Sequence, residues 1–177
     1  HKVAGQRLDG PLRACFIGRL VPYKGPDMLL EAAAPFLDSG RLVLDIVGDG
    51  PMRGALERQA GAIGGGKAVT FHGHLDQWAV QDVAVRSNLL TFPSIREFGG
   101  GVVLEAMALG LVPVVVDYAG PGELVSEATG YRIPVGSRAE IVARLRERLA
   151  RILADPSDLP RLAAAGRAEV AARFTWA

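Results

Sequence analysis

The stretch SIREFGGGVVLEAMALG, residues 94–110, sets two glutamates eight positions apart, Glu97 and Glu105, around three consecutive glycines and an otherwise apolar run. Carboxylates of this kind can work as an acid and base pair, or they can accept hydrogen bonds from hydroxyls. On a single helix the two would stand roughly 12 Å apart along the axis and about 80° apart around it. That is a poor geometry for an acid–base pair, which glycosidases hold at roughly 5–9.5 Å. Glu97 is therefore expected in a loop that points back over the start of a helix, with Glu105 one turn inside it. The glycines between them, including Gly100 and Gly101, would bring bare backbone N–H groups and the positive helix end against an anionic ligand. Val102, Val103, Leu104, Ala106, Met107, Ala108 and Leu109 cover every other side of that helix. It is thus expected to be buried all round except at Glu105. An ionised carboxylate in such a setting needs a polar partner. A vicinal diol such as a ribose would supply two donors; an internal arginine would serve equally, with the glycines only permitting close packing.

A second concentration of chemistry is GRLVPYKG, residues 18–25, where Arg19 and Lys24 share one short turn between glycines. Two cations there could clamp a diphosphate, or simply be solvated loop charges. The turn is not the G-x-G-x-x-G fingerprint of dinucleotide enzymes, which argues against a nicotinamide cofactor. GDGP, residues 48–51, is a glycine turn feeding a helix, with Pro51 in its first turn and Asp49 as cap. His72 and His74 are two apart but have no accompanying cluster of Cys, Asp or Glu at ligand spacing, so a metal site is not expected. The single Cys15 cannot form an internal disulfide and is read as a small core residue of a reduced, cytoplasmic protein.

The elements that must position these groups alternate regularly. Strands are expected near 12–18, 41–48, 68–73, 88–93, 111–117 and 130–134. Helices are expected near 26–38, 51–62, 77–86, 101–109, 121–127, 138–154 and 158–174. This order argues for an α/β, Rossmann-like parallel sheet of about six strands with helices on both faces. Runs such as PVVV and LVLDIV agree, since both faces of such a sheet are covered. IGGGKA, residues 63–68, is expected to be a flexible loop. The 177 residues, 49% hydrophobic, are ample for one core, and a net charge of +1 leaves no general electrostatic footprint for nucleic acid. No apolar run reaches the roughly 20 residues of a membrane helix. In open sheets of this class, ligands sit beyond the carboxyl ends of the strands, where the loops described above fall.

On these residues the chain resembles the donor-binding C-terminal half of retaining GT-B glycosyltransferases of family four. FIGRLVPYKG looks like that family's phosphate loop and IVGDGPMRGALE like its second-strand turn. PSIREFGGGVVLEAMALGLVPVV looks like its signature of two glutamates separated by seven residues, and GPGELVSEATGYRIP and RFTW continue the likeness. The resemblance implies that Arg19 and Lys24 hold the diphosphate and Glu105 the ribose hydroxyls. Glu97 would touch the donor sugar, Gly100, Gly101 and Val102 would present their N–H groups, and the backbone near Leu75 would meet the nucleobase. It implies a UDP-, GDP- or ADP-sugar as substrate, no cofactor, no metal, and transfer to a glycan, lipid or small-molecule acceptor. That acceptor would be held by an N-terminal domain that residues 1–177 do not contain. One departure is visible: Phe98 stands one residue early and three glycines follow it, so donor identity cannot be carried over.

Two other classes fit parts of this pattern. A sugar-nucleotide epimerase of the same architecture would share the phosphate loop and helix start, and a non-catalytic sensor would need only the nucleotide site. Separately, Arg144, Arg148 and Arg151 recur at helical spacing opposite Leu145, Leu149 and Ile152. That face is either solvated or rests on anionic lipid as a peripheral membrane contact.

Overall fold

The computed structural model describes residues 2–96 and 100–173. Six strands, β1 (Leu12–Ile17), β2 (Leu42–Val47), β3 (Val69–Gly73), β4 (Leu89–Phe92), β5 (Val112–Val116) and β6 (Tyr131–Ile133), form one sheet in the order β3-β2-β1-β4-β5-β6. Every pair of neighbouring strands is parallel. Seven α-helices connect and follow them: α1 (Pro26–Asp38), α2 (Arg53–Gly61), α3 (Gln77–Ala84), α4 (Gly101–Ala108), α5 (Ala119–Leu124), α6 (Arg138–Ala154) and α7 (Leu159–Arg173). The chain reverses its direction of travel across the sheet between β1 and β4, which opens a crevice at the carboxyl ends of those two strands.

Side-chain alternation divides the interior into two cores. Ala14, Phe16, Leu44, Ile46, Val112 and Val114 face α1, α2 and α6, whereas Cys15, Leu90, Phe92 and Val115 face α3 and α4. Coverage on both sides is why β5, and β2 but for Asp45, read as apolar runs.

Helices α1 and α6 begin where local chemistry dictates. Pro26 stands at the first position of α1 after Gly25, and Ser137 with Glu140 forms a reciprocal capping box on α6. Inside α1, Pro35 has no N–H, which leaves the Glu31 carbonyl without its helical donor. Arg146 of α6 supplies it, donating from Nη2 to Glu31 O at 2.6 Å and from Nε to Ala32 O at 3.2 Å. Arg138 adds ion pairs to Asp27 and Glu31 at 3.0 and 2.6 Å. These contacts lock α6 onto α1.

Three boundaries differ from expectation. Pro51 lies in the turn ahead of α2, which begins at Arg53. Asp49 caps no helix: Oδ1 accepts from the Gly50 amide at 2.8 Å and Oδ2 from Arg53 at 3.0 Å. Helix α5 runs from Ala119, in the left-handed region at φ 48°, to Leu124 instead of 121–127. It stops there because Val125 is extended and Thr129 Oγ1 takes the Ser126 amide at 3.0 Å. The loop at 63–68 contains a 3-10 helical turn, Gly64–Gly66, tied to α1 by the Gly64 amide donating to Asp38 Oδ1 at 3.0 Å. Among the described residues no helix is long and apolar enough to cross a membrane.

Candidate functional site

The loops at the carboxyl ends of β1, β2 and β4 are braced against one another through backbone. The Gly18 amide donates to Val47 O at 3.0 Å, Leu20 N to Asp49 O at 3.0 Å and Met52 N to Leu20 O at 3.1 Å. Gly48, at φ +136°, makes this possible: a Cβ there would stand 1.9 Å from the Gly18 carbonyl oxygen. The GDG turn is thus a backrest for the β1–α1 loop. On its other side that loop is fastened to the β4–α4 loop by Ile95 N donating to Tyr23 O at 3.0 Å.

Arg19 and Lys24 both sit on the braced loop. Arg19 is exposed, and its guanidinium has no hydrogen-bond or ion-pair partner among the described residues. Lys24 is half-buried in the short 3-10 helix Pro22–Lys24, with Nζ 5.5 Å from the Phe92 ring centroid and 5.7 Å from that of Tyr23. Those contacts aim the ammonium at the end of β4.

Helix α4 starts on Gly100 in the left-handed conformation, φ +64°, without a side-chain cap. Any side chain at position 100 would meet Leu124 Cδ1 at 2.7 Å. Gly100 O accepts the Val103 and Leu104 amides, while those of Gly101 and Val102 have no acceptor among the described residues. A helix start with two open N–H groups attracts an anion. Glu97 lies outside the described residues, as do Phe98 and Gly99.

Glu105, one turn further along, overturns part of the expectation. It is exposed, and its carboxylate has no hydrogen-bond or ion-pair partner among the described residues. Only Val103, Ala106 and Met107 of α4 are buried. Gly101 and Ala108 are open, and Val102, Leu104 and Leu109 half-open, so the helix is not buried all round. Val102 and Leu109 pack only partly against the core, and with Ala106 and Ala108 they also wall a cleft of about 1200 Å³.

Into that cleft the structure brings Leu75, Val102 and Glu105 together, along with Ile17 at the end of β1. Arg19, Lys24, Gly100 and Gly101 do not line it; the two cations belong to the adjacent loop. Sequence reasoning missed the opposite wall. It is built by Trp78 and Gln81 of α3, with Trp78 73% exposed, and by Arg167 of α7. An indole on the open face of QWAVQDVA was the available signal.

Among the described residues no group of three or more His, Cys, Asp or Glu is placed to hold a metal ion. His72 Nε2 instead lies 2.7 Å from Oδ1 of the buried Asp45, whose other oxygen is 3.5 Å from Arg13, while His74 is exposed. Burial pushes the Cys15 thiol up to about 12, consistent with an inert core residue.

Residues 2–169 match the family described as Glycosyl transferases group 1. The chain is 34% identical over 172 residues to a D-inositol 3-phosphate glycosyltransferase of Gordonia bronchialis, which covers 91% of the chain and 36% of that protein. It is 33% identical over 176 residues to a GDP-mannose-dependent monoacylated alpha-(1-6)-phosphatidylinositol monomannoside mannosyltransferase of Corynebacterium glutamicum, covering 94% and 44%. The crystal structure of Anabaena HepE in complex with UDP and glucose superposes with a TM-score of 0.80 at 22% identity, over 94% of this chain and 45% of that one. The chain spans less than half the length of each of these proteins.

Proposed function

This chain belongs to the glycosyl transferases group 1 family, and from that premise we propose that it is the half of a GT-B glycosyltransferase that binds a nucleoside diphosphate sugar. One observation carries the reading. Leu75, after β3, and Val102 and Glu105 of α4 line a single cleft between α3, α4 and α7 that reaches Ile17 at the carboxyl end of β1, beside a loop that presents Arg19 and Lys24. The nucleobase lies against the backbone at Leu75, and the ribose hydroxyls donate to Glu105. The diphosphate takes the open amides of Gly101 and Val102 with the two cations, while Gly100 and Glu97 face the donor sugar.

Transfer proceeds with retention of anomeric configuration to a glycan, lipid or small-molecule acceptor held by a second domain. As the bond to the sugar breaks, negative charge grows on the leaving diphosphate. Arg19, Lys24 and the start of α4 stabilise that charge in place of a metal ion. The base remains open within this proposal: the Anabaena complex contains UDP and the Corynebacterium relative is named for GDP-mannose, and backbone recognition leaves no side-chain signature. A cytoplasmic setting belongs to the same proposal.

Calorimetric titration of the 177-residue chain with UDP, GDP and ADP, with and without a chelator, tests it. The expected result is modest, chelator-resistant binding of one preferred nucleotide and no sugar transfer by this half alone. Absence of binding by all three would remove the donor site, and metal-dependent binding would remove the proposed charge stabilisation.

A further inference from the structure

On the β6 edge of the sheet, remote in the strand order from β3, a pocket of about 230 Å³ gathers Arg132 of β6 with Arg144, Arg148 and Arg151 of α6. Glu147 is the one acidic residue in its wall. Positions 144, 148 and 151 fall on one face of α6 because they follow helical spacing.

Most of these guanidinium groups are held in place. Arg144 donates from Nη1 to the carbonyls of Pro134 and Val135 at 3.3 and 3.2 Å, and pairs with Glu140 at 3.1 Å. Arg151 pairs with Glu147 at 2.7 Å. Arg148 stacks its guanidinium carbon 4.9 Å from the Tyr131 ring centroid, which fixes its plane but satisfies none of its N–H groups. The guanidinium groups of Arg148 and Arg132 have no hydrogen-bond acceptor among the described residues. With Arg144 and Arg151 already paired, the charges of Arg132 and Arg148 stand without a counter-charge in one small concavity and repel each other unless an anion sits between them. Helix α6 is anchored on its other side by Arg138 and Arg146, so the crowding is imposed by the fold and is not relieved by movement of the helix.

We infer that this pocket is a second anion site, separate from the donor cleft, that binds a phosphate group through Arg132 and Arg148 with Arg144 and Arg151 as charged walls. A guanidinium fork matches phosphate oxygens in pairs, and the pocket's concavity suits one compact group better than an extended polyanion. The phosphate can be carried by a soluble phosphorylated metabolite or by the headgroup of an anionic lipid.

The test uses the whole chain with inorganic phosphate as probe, at ionic strength matched with chloride. Thermal stability and calorimetric binding are measured for the wild type, R132Q, R132Q/R148Q and R19A/K24A. Phosphate is expected to raise the melting temperature of the wild type and of R19A/K24A. R132Q/R148Q should lose affinity for phosphate about tenfold or more while retaining UDP, GDP or ADP binding. R132Q changes only an exposed side chain without a partner, so its own loss of affinity keeps the test sound if the double variant folds poorly. Phosphate binding lost in R19A/K24A but intact in R132Q/R148Q would overturn the inference, as would equal stabilisation by chloride. Sedimentation with phosphatidylglycerol vesicles against phosphatidylcholine vesicles separates the sources. Vesicle binding displaced by phosphate points to a headgroup, and phosphate binding without vesicle binding points to a soluble ligand. Binding of neither overturns the site.

Discussion

Glu105→Gln is the sharpest perturbation of the proposed donor site, because the structure separates its two consequences. The side chain is exposed and has no partner among the described residues, so the substitution should leave folding stability within about 0.5 kcal/mol. Its effect on ligand is different. A carboxylate accepting from both ribose hydroxyls makes two charge-assisted hydrogen bonds, each worth about 1.5–3 kcal/mol, against about 0.5–1.5 for neutral ones. Glutamine keeps one acceptor, turns the other into a donor and removes the charge. The open cleft lets water compete for both forms, so we expect a loss of about 1–2 kcal/mol, or roughly 5–30-fold in Kd. Calorimetry with the preferred nucleoside diphosphate and its 2′,3′-dideoxy form checks this. The wild type should discriminate between the two, and the variant should lose most of that discrimination. Equal affinity of the wild type for both forms would refute the assignment of Glu105 to the ribose, whatever the variant does.

Arg19→Ala and Lys24→Ala should each weaken nucleoside diphosphate binding more than nucleoside binding, a difference read in paired titrations; equal losses would sink the phosphate assignment. Gly48→Ala should destabilise the fold by about 2–4 kcal/mol in urea denaturation, since its Cβ would overlap the Gly18 carbonyl oxygen at 1.9 Å. Cys15, pushed up to about 12 by burial, keeps its proton in the folded chain after an unfolded chain has lost it near pH 9. Its contribution to stability is therefore complete below about pH 9 and declines as pH rises towards 12. Urea midpoints at several alkaline pH values should fall more steeply for the wild type than for Cys15→Ala. Asp45→Ala should cost about 1–3 kcal/mol of stability by stranding His72 and Arg13, with nucleotide affinity unchanged in the same titrations.

Much of the fold was legible because its causes are local. Gly25–Pro26 and the Ser137–Glu140 box fix the starts of α1 and α6, and double coverage of the sheet writes β-branched runs into the strands. What stayed hidden depends on who sits opposite whom. The α5 boundary is set by a side chain, Thr129, that reaches back in the chain. The role of the GDG turn as a backrest is visible only when Gly48 meets Gly18. For α4, hydrophobicity reported that the helix avoids water but could not say whether its apolar residues enter the core or wall a cleft. Val102 and Ala106 do both, and Glu105 between them faces open space.

Asp45 and Glu105 make the same point from the side of charge. In sequence both are lone acids in greasy runs, LVLDIV and VVLEAMAL, and the same cost of burying charge applies to each. The structure resolves that cost in opposite ways. Asp45 is buried and answered within the protein by His72 on Oδ1 and by the charge of Arg13, 3.5 Å from Oδ2, so its charge is committed to the fold. Glu105 avoids the cost by facing open space, and the apolar residues around it form the wall of that space. A carboxylate free of partners on a concave apolar surface is one whose hydrogen bonds have yet to be made. The pattern that read as an acid in need of a polar partner, a diol or an arginine, is in three dimensions a carboxylate that no arginine meets among the described residues, standing at the rim of a cleft.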